Sequence, residues 1–207
     1  MSILSLCKLL EFIFFIFKTT FMKKLILFLA IALIGLNSNA QWGIKAGVNF
    51  SNFTGDDAGD TKTLVPVYFG FFYNAKISQR FSIEPQLMYT GHGAKDDQTD
   101  LRLKLNYLSL TGLGRFNLPS GLFFGTGPEF GLLLSARLKD DNNVVNVKDS
   151  YEDIAIAWAF AVGYDMKNGF GIYGRYNLGL TTVTDDPDGD LKNSVFQLGF
   201  RFMLQPN

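Results

Sequence analysis

From residue 42 onward the chain alternates. In "WGIKAGVNFS", Trp42, Ile44, Ala46, Val48 and Phe50 oppose Gly43, Lys45, Gly47, Asn49 and Ser51. The same two-residue period recurs in seven further segments, which predicts eight β-strands. They begin near Val65, Phe81, Leu105, Leu122, Ile154, Phe170 and Ser194. The fourth is the least regular, because Leu105, Tyr107 and Leu113 share the parity of Ser109, Thr111 and Arg115. Between the strands, short turns at 78–80, 117–121 and 166–169 alternate with long polar loops at about 52–64, 91–103, 137–153 and 181–193. Antiparallel strands joined in that way place every short turn at one end.

The alternation leaves open which parity faces inward. In "GFGIYGRYNLGLTT", residues 169–182, one parity carries Phe170, Ile172, Tyr176, Leu178 and Leu180, and the other carries glycines and Arg175. "IAIAWAFAVGYD" decides it: Ile154, Ile156, Trp158, Phe160, Val162 and Tyr164 oppose four alanines and Gly163. A closed eight-stranded barrel has an interior just wide enough for side chains to fill. It cannot hold eight rows of Phe, Leu and Ile, so the small and polar parity is expected inside and the large apolar one against lipid. The fold expected is all-β: an eight-stranded antiparallel up-and-down transmembrane β-barrel, preceded by an apolar helical signal segment.

Composition supports this. Aromatic residues make up 15% of 207, with 21 Phe and 21 Gly, and formal net charge is zero. A basic nucleic-acid surface is not expected. One Cys and one His cannot build a four-ligand zinc site, and neither a metal nor a cofactor is expected. Residues 22–40 have the parts of a secretory signal: Lys23 and Lys24, an apolar run from Leu25, and Ser38-Asn39-Ala40 before a cut at Gln41. Its dozen apolar residues fall short of the roughly 20 that span a bilayer. Residues 1–21 read as a spurious or extra N-terminal extension, and residues 41–207 as the barrel domain. Cleavage removes Cys7, Glu11, Lys8, Lys18, Lys23 and Lys24, leaving a net charge of about −3.

The inward parity carries Lys45, Lys76, Glu84, Arg115, Glu129, Asp165, Arg175 and Arg201. Buried charges persist when paired or hydrogen-bonded. A structural charge network is therefore expected among Lys45, Glu84, Arg115, Glu129, Arg175 and Arg201, with Glu84 and Glu129 answering the arginines. Trp42, Phe81, Phe116, Tyr164, Phe170 and Phe202 lie outward near the short-turn end, as an interfacial girdle would.

Chemistry is sparse. The one histidine, His92 in "TGHGAK", has no Ser close behind it, and no Gly-x-Ser-x-Gly elbow occurs. It reads as a solvated loop residue, and no catalytic residue is assigned. Fifteen of the eighteen mature acids fall in the four long loops. "DDPDGDLK" has carboxylates and a turn glycine, but lacks the spacing of an EF-hand. Expected partners are outer-membrane lipids and lipopolysaccharide, extracellular or periplasmic proteins met through the loops, and divalent cations held weakly by the acidic loops. Nucleic acid is not among them.

"AQWGIKAGVNFSNF", "LKLNYLSL", "GTGPEFGLLLSA" and "GRYNLGLT" together resemble the PorT-like outer-membrane β-barrel domain common in Bacteroidetes. Arg175-Tyr176 with Gly179-Leu180 carries the most recognisable piece. Ser109 and Thr111 depart from it, standing where that family has an acidic residue and proline. The resemblance implies an exported protein of the cell outer membrane. The function expected is structural, in adhesion or interaction, or accessory to secretion, and not that of a wide pore or an enzyme. The alternatives are a lipid-modifying outer-membrane enzyme and a soluble lipocalin-like ligand-binding barrel, whose rings would line a cavity.

Overall fold

The computed structural model describes residues 40–55, 61–96, 101–140, 143–184 and 190–204. The segments read as extension and signal, residues 1–39, lie outside them. Ten strands are labelled along the chain: β1 (Ala40–Thr54), β2 (Thr61–Thr63), β3 (Val67–Lys76), β4 (Phe81–Asp96), β5 (Arg102–Asn117), β6 (Leu122–Lys139), β7 (Val144–Asn146), β8 (Ile154–Asp165), β9 (Phe170–Thr182) and β10 (Lys192–Met203). Eight are long. Each pairs antiparallel with its neighbour in the order β1-β3-β4-β5-β6-β8-β9-β10, and β10 closes on β1. The three-residue β2 and β7 add to the outer edges of β4 and β6 at the long-loop end. Closure pairs the backbone without leaving a sheet edge, as a wall of strands in lipid requires. Among the described residues no helix is long and apolar enough to cross a membrane; the large exposed apolar side chains lie mostly on the strands.

The register fixes the bore. Cross-strand partners lead from Asn117 through Phe123, Gly163, Tyr173, Gly199, Gly47, Tyr68 and Thr90 to Tyr107, ten residues back along the strand of departure. That stagger tilts the strands and sets the narrow lumen. The short turns close tightly. Gly121 (φ 97°) and Gly169 (φ 86°) take the left-handed conformation that glycine tolerates. Asn168 Oδ1 also accepts the Phe170 N–H at 3.1 Å.

The parity rule holds along the wall. Trp42, Phe71, Phe81, Phe130, Phe160, Ile172 and Phe200 are exposed outward, whereas Lys45, Glu84, Arg115, Glu129, Arg175 and Arg201 are buried. A soluble lipocalin-like barrel, with a wet outer face and rings around a cavity, is not what these strands build.

Three expectations need correction. The segment read as a long loop at 91–103 is mostly strand: β4 runs to Asp96 and β5 starts at Arg102. The 18 residues of β6 span roughly 60 Å along the strand, or about 40 Å of height at a 45° tilt. The apolar band of such barrels is only about 25 Å tall. The wall therefore extends beyond an apolar band of that height at the long-loop end. There, alternation continues beyond the hydrocarbon level, because Phe53, Ala94, Leu105, Tyr107, Leu133, Ala136 and Val183 pack together inside the projecting collar. That cluster explains the irregular parity of β5 at Leu105 and Tyr107; Leu113 packs separately, against Ala159 and Ala161.

Second, the lumen does hold large rings, and inward glycines make room for them. A Cβ on Gly43 would lie 2.1 Å from the Phe72 ring, and one on Gly163 2.5 Å from the Phe123 ring. The Tyr68 hydroxyl stands over both Gly47 and Gly199, where Cβ atoms would come within 2.6 and 2.1 Å. Each ring lies on the bare backbone of a strand across from it, so the lumen is filled by ring-on-glycine pairs as well as by small residues. Third, Lys76 has inward parity but is exposed, because β3 ends there at the short-turn rim.

Gly163→Ala should therefore lower stability by about 1–3 kcal/mol, the usual cost of overpacking. The same change at the lipid-facing Gly174, where the nearest atom would be 3.4 Å away, should cost less. Urea midpoints of the heat-modifiable folded band on unboiled gels measure both.

Candidate functional site

The charged side chains occupy two stacked layers in the lumen. In the lower one, four groups from four strands form a ring. Arg115 on β5 donates from Nη1 to Glu84 Oε2 on β4 and from Nη2 to Asp165 Oδ2 on β8, the latter at 2.7 Å. Arg201 on β10 donates to Glu84 Oε2 at 2.7 Å and to Oε1 at 3.2 Å. Its Nε lies 3.1 Å from Asp165 Oδ1. Two carboxylates thus alternate with two guanidiniums, each cation reaching both anions. The Arg115 guanidinium lies 3.7 Å from the centre of the Phe123 ring, and that of Arg201 4.0 Å from that of Phe72. The rings seated on glycines are therefore also cation–π platforms.

The upper layer is built round Arg175 on β9, which is 1% exposed. Its guanidinium pairs with Glu129 on β6. It also donates to Asn177 Oδ1 at 2.6 Å, Gln86 Oε1 at 2.8 Å and Thr111 Oγ1 at 3.1 Å. Glu129 accepts further from Thr111 at 2.8 Å and from Asn177 at 3.3 Å. Gln86 joins the layers: its Nε2 donates to Glu84 at 2.8 Å, and its Oε1 also accepts from Lys45. The ammonium of Lys45 stands 4.9 Å from the Tyr173 ring centre.

The structure thus brings all six residues of the expected network together, with Asp165 as a seventh. Glu129 answers Arg175, and Glu84 answers both Arg115 and Arg201. The sequence reading missed Gln86, Thr111 and Asn177 as members. Their signal was present, since each shares the inward parity of a neighbouring charge, but assigning partners needs the register between strands.

His92 requires correction. It is not a solvated loop residue: it is buried on β4, with Nε2 3.3 Å from Thr90 Oγ1 and its ring 5.0 Å from that of Tyr107. It lines a lumenal cavity of about 20 Å³ with Ser109, Glu129, Asn177 and Asn193, room for about one water. Glu129 is there committed to Arg175, so it does not orient His92 as the third member of a triad would. No group of three or more metal-ligating side chains occurs among the described residues. Most of the loop acids, Asp56, Asp57, Asp60, Asp97, Asp100, Asp141, Asp185, Asp186 and Asp188 among them, lie outside those residues, as does most of the "DDPDGDLK" stretch.

Removing Arg175 would leave the Glu129 carboxylate buried without its cation, a loss of typically about 3–5 kcal/mol. Arg175→Leu should lower the urea midpoint of the folded band accordingly. Arg175→Leu with Glu129→Leu should recover most of it, read as a coupling energy in a double-mutant cycle.

In solved structures the same architecture is found in Neisserial surface protein A (NspA), with 12% identity and a TM-score of 0.51 over 80% of this chain and 99% of that one. It is found also in Ail, the attachment invasion locus protein of Yersinia pestis, with 13% identity and a TM-score of 0.50 over 81% and 100%. At such identities the likeness concerns the fold alone. No curated protein matches the chain. The family signature of the outer membrane protein beta-barrel domain matches residues 34–185, and with that match over most of a closed, lipid-faced, eight-stranded barrel, the chain belongs to the outer membrane protein beta-barrel domain family.

Proposed function

We propose that this protein is a non-conducting, non-enzymatic outer-membrane barrel that acts through its external surface, in adhesion or interaction with other molecules. The observation that carries this is the Arg175 layer. A guanidinium from β9 reaches β4, β5 and β6, so the middle of the lumen is crossed by side chains rather than water. Above it the apolar cluster around Leu105 and Tyr107 fills the collar. A lumen closed at two levels has no path for solutes, and its charged groups are committed to one another and to Gln86 rather than to a substrate. The charge network is then structural: it fills the bore and locks the register of the strands that meet there. Lys45, Glu84, Arg115, Glu129, Arg175 and Arg201 act in stability.

Export by a signal ending at Ala40, membership of the PorT-like branch and an origin in Bacteroidetes belong to the same proposal. They rest on "MKKLILFLAIALIGLNSNAQ" and on Arg175-Tyr176 with Gly179-Leu180. Outer-membrane lipids are its first partners, and proteins would be met by the loops beyond the collar.

Purified folded monomer should give no steady, size-selective conductance in planar bilayers; a reproducible unitary current would refute the closed lumen. The chain from the membrane fraction should begin at Gln41 on N-terminal sequencing, and recovery of residues 1–40 on the mature protein would refute the signal.

A further inference from the structure

The projecting collar carries an arrangement that the closed lumen does not explain. Following the register across its wall, Lys62 on β2 faces Lys95 on β4, and Lys95 faces Arg102 on β5. Arg102 in turn faces Lys139 on β6. Two residues nearer the membrane, Lys104 faces Arg137. Directly opposed residues share one face of a sheet, as do residues two apart along a strand. All six cations therefore stand on the same face. Leu103, Leu105, Ala94 and Ala136, on the other parity, belong to the collar's core, so this face is the outer one. Lys62, Lys104, Arg137 and Lys139 are exposed, and Lys95 and Arg102 are half-buried.

Like charges placed directly opposite destabilise a sheet, and Arg102–Lys139 and Lys104–Arg137 are two such pairs side by side. No carboxylate among the described residues pairs with Arg102, Lys104, Arg137 or Lys139. Anions lying against the wall would relieve these two pairs. The height of the pairs identifies them. On β5 the outward row runs from Phe116 to Leu108, then Asn106, then Lys104 and Arg102. On β6 the last outward leucine, Leu134, is followed by Arg137 and Lys139. The cations start within about 10 Å of the end of the apolar band, at a rise of about 3.4 Å per residue along tilted strands. That is the level of lipid headgroups. The loop tips further out are acidic by sequence, which disfavours approach of a polyanion from the medium.

We infer that Arg102, Lys104, Arg137 and Lys139 form a binding ladder for the phosphate groups of outer-leaflet lipids, lipid A phosphates in an outer membrane. The guanidiniums of Arg102 and Arg137 supply forked donors for phosphate oxygens, and the lysines add point charge. The ladder rests on the outer-membrane reading taken with the long-loop end outside, but not on whether the lumen conducts. Its function is to fix the barrel's depth and the lipids around one sector of its wall.

The test compares the full-length folded protein with an Arg102→Gln, Lys104→Gln, Arg137→Gln, Lys139→Gln variant in phosphatidylcholine vesicles, with or without bisphosphorylated lipid A. Because the substitutions relieve like-charge contacts, the variant should melt no lower than the parent in phosphatidylcholine alone. Lipid A should raise the parent's melting midpoint, dephosphorylated lipid A should not, and the variant should bind lipid A about a hundredfold more weakly. Equal binding of lipid A by parent and variant would overturn the ladder. So would stabilisation of the parent by soluble heparin in place of lipid A, which would assign the patch to a polyanion from the medium. A conducting but lipid A-dependent parent would sink the closed-lumen proposal and leave the ladder standing.

Discussion

A strand in hydrocarbon has no water to satisfy its N–H and C=O groups, and this constraint determines most of the molecule. The eight long strands meet it by pairing in a ring with no free edge. Once the ring holds eight strands at a stagger of ten residues, the bore is set. The outer face must then be apolar, and the inner face must fill a narrow tube. The exposure of Phe71, Phe81, Phe160 and Phe200 follows from the first demand. The burial of Lys45, Glu84, Arg115, Glu129, Arg175 and Arg201 follows from the second, since long polar chains can cross the tube and bind one another.

Filling a tube with charge is costly unless each charge meets its counterpart, and the lumen supplies this by alternation. Glu84 and Asp165 separate Arg115 from Arg201, and Glu129 faces Arg175. The neutral side chains matter as much, because carboxylate and guanidinium atoms left over after ion pairing still need partners. Gln86, Thr111 and Asn177 take that part, and Gln86 ties the two layers into one network. Apolar filling is threaded through the same space. Phe72 and Phe123 occupy the room left by Gly43 and Gly163 and also hold guanidiniums near their ring centres. Changing one glycine therefore disturbs a ring and, through it, an arginine.

How much of this could be read from the sequence depended on whether a feature lives on one strand or between strands. The alanine row facing Trp158 and Phe160 identified the inner face of β8 without any partner. The identity of the lumen charges followed from parity in the same way. The pairing of Glu84 with two arginines did not, because it depends on four strands whose register no single segment encodes. The same holds for Phe72 over Gly43, which reads locally as an aromatic on the wrong parity. His92 and the 91–103 stretch were misread for a different reason. Polar and glycine-rich composition there suggested a loop, but β4 and β5 continue as a collar, where a sheet no longer needs an apolar outer face. Leu105 and Tyr107, which blurred the pattern on β5, were the local sign of that collar's own core.

The inside and the outside of this barrel treat charge in opposite ways. In the lumen, cations are separated by carboxylates and screened by rings. On the collar, Lys95, Arg102 and Lys139 stand side by side across three strands. Evolution of a stable sheet alone would disperse such charges, and a lumen-like solution, one glutamate at Arg102's position, would require a single substitution. An anion lying against the wall would relieve the Arg102–Lys139 and Lys104–Arg137 contacts. The lumen's ion pairs close within the chain, whereas Arg102, Lys104, Arg137 and Lys139 have no carboxylate partner among the described residues, and the protein's dealings with its surroundings are to be sought on that face.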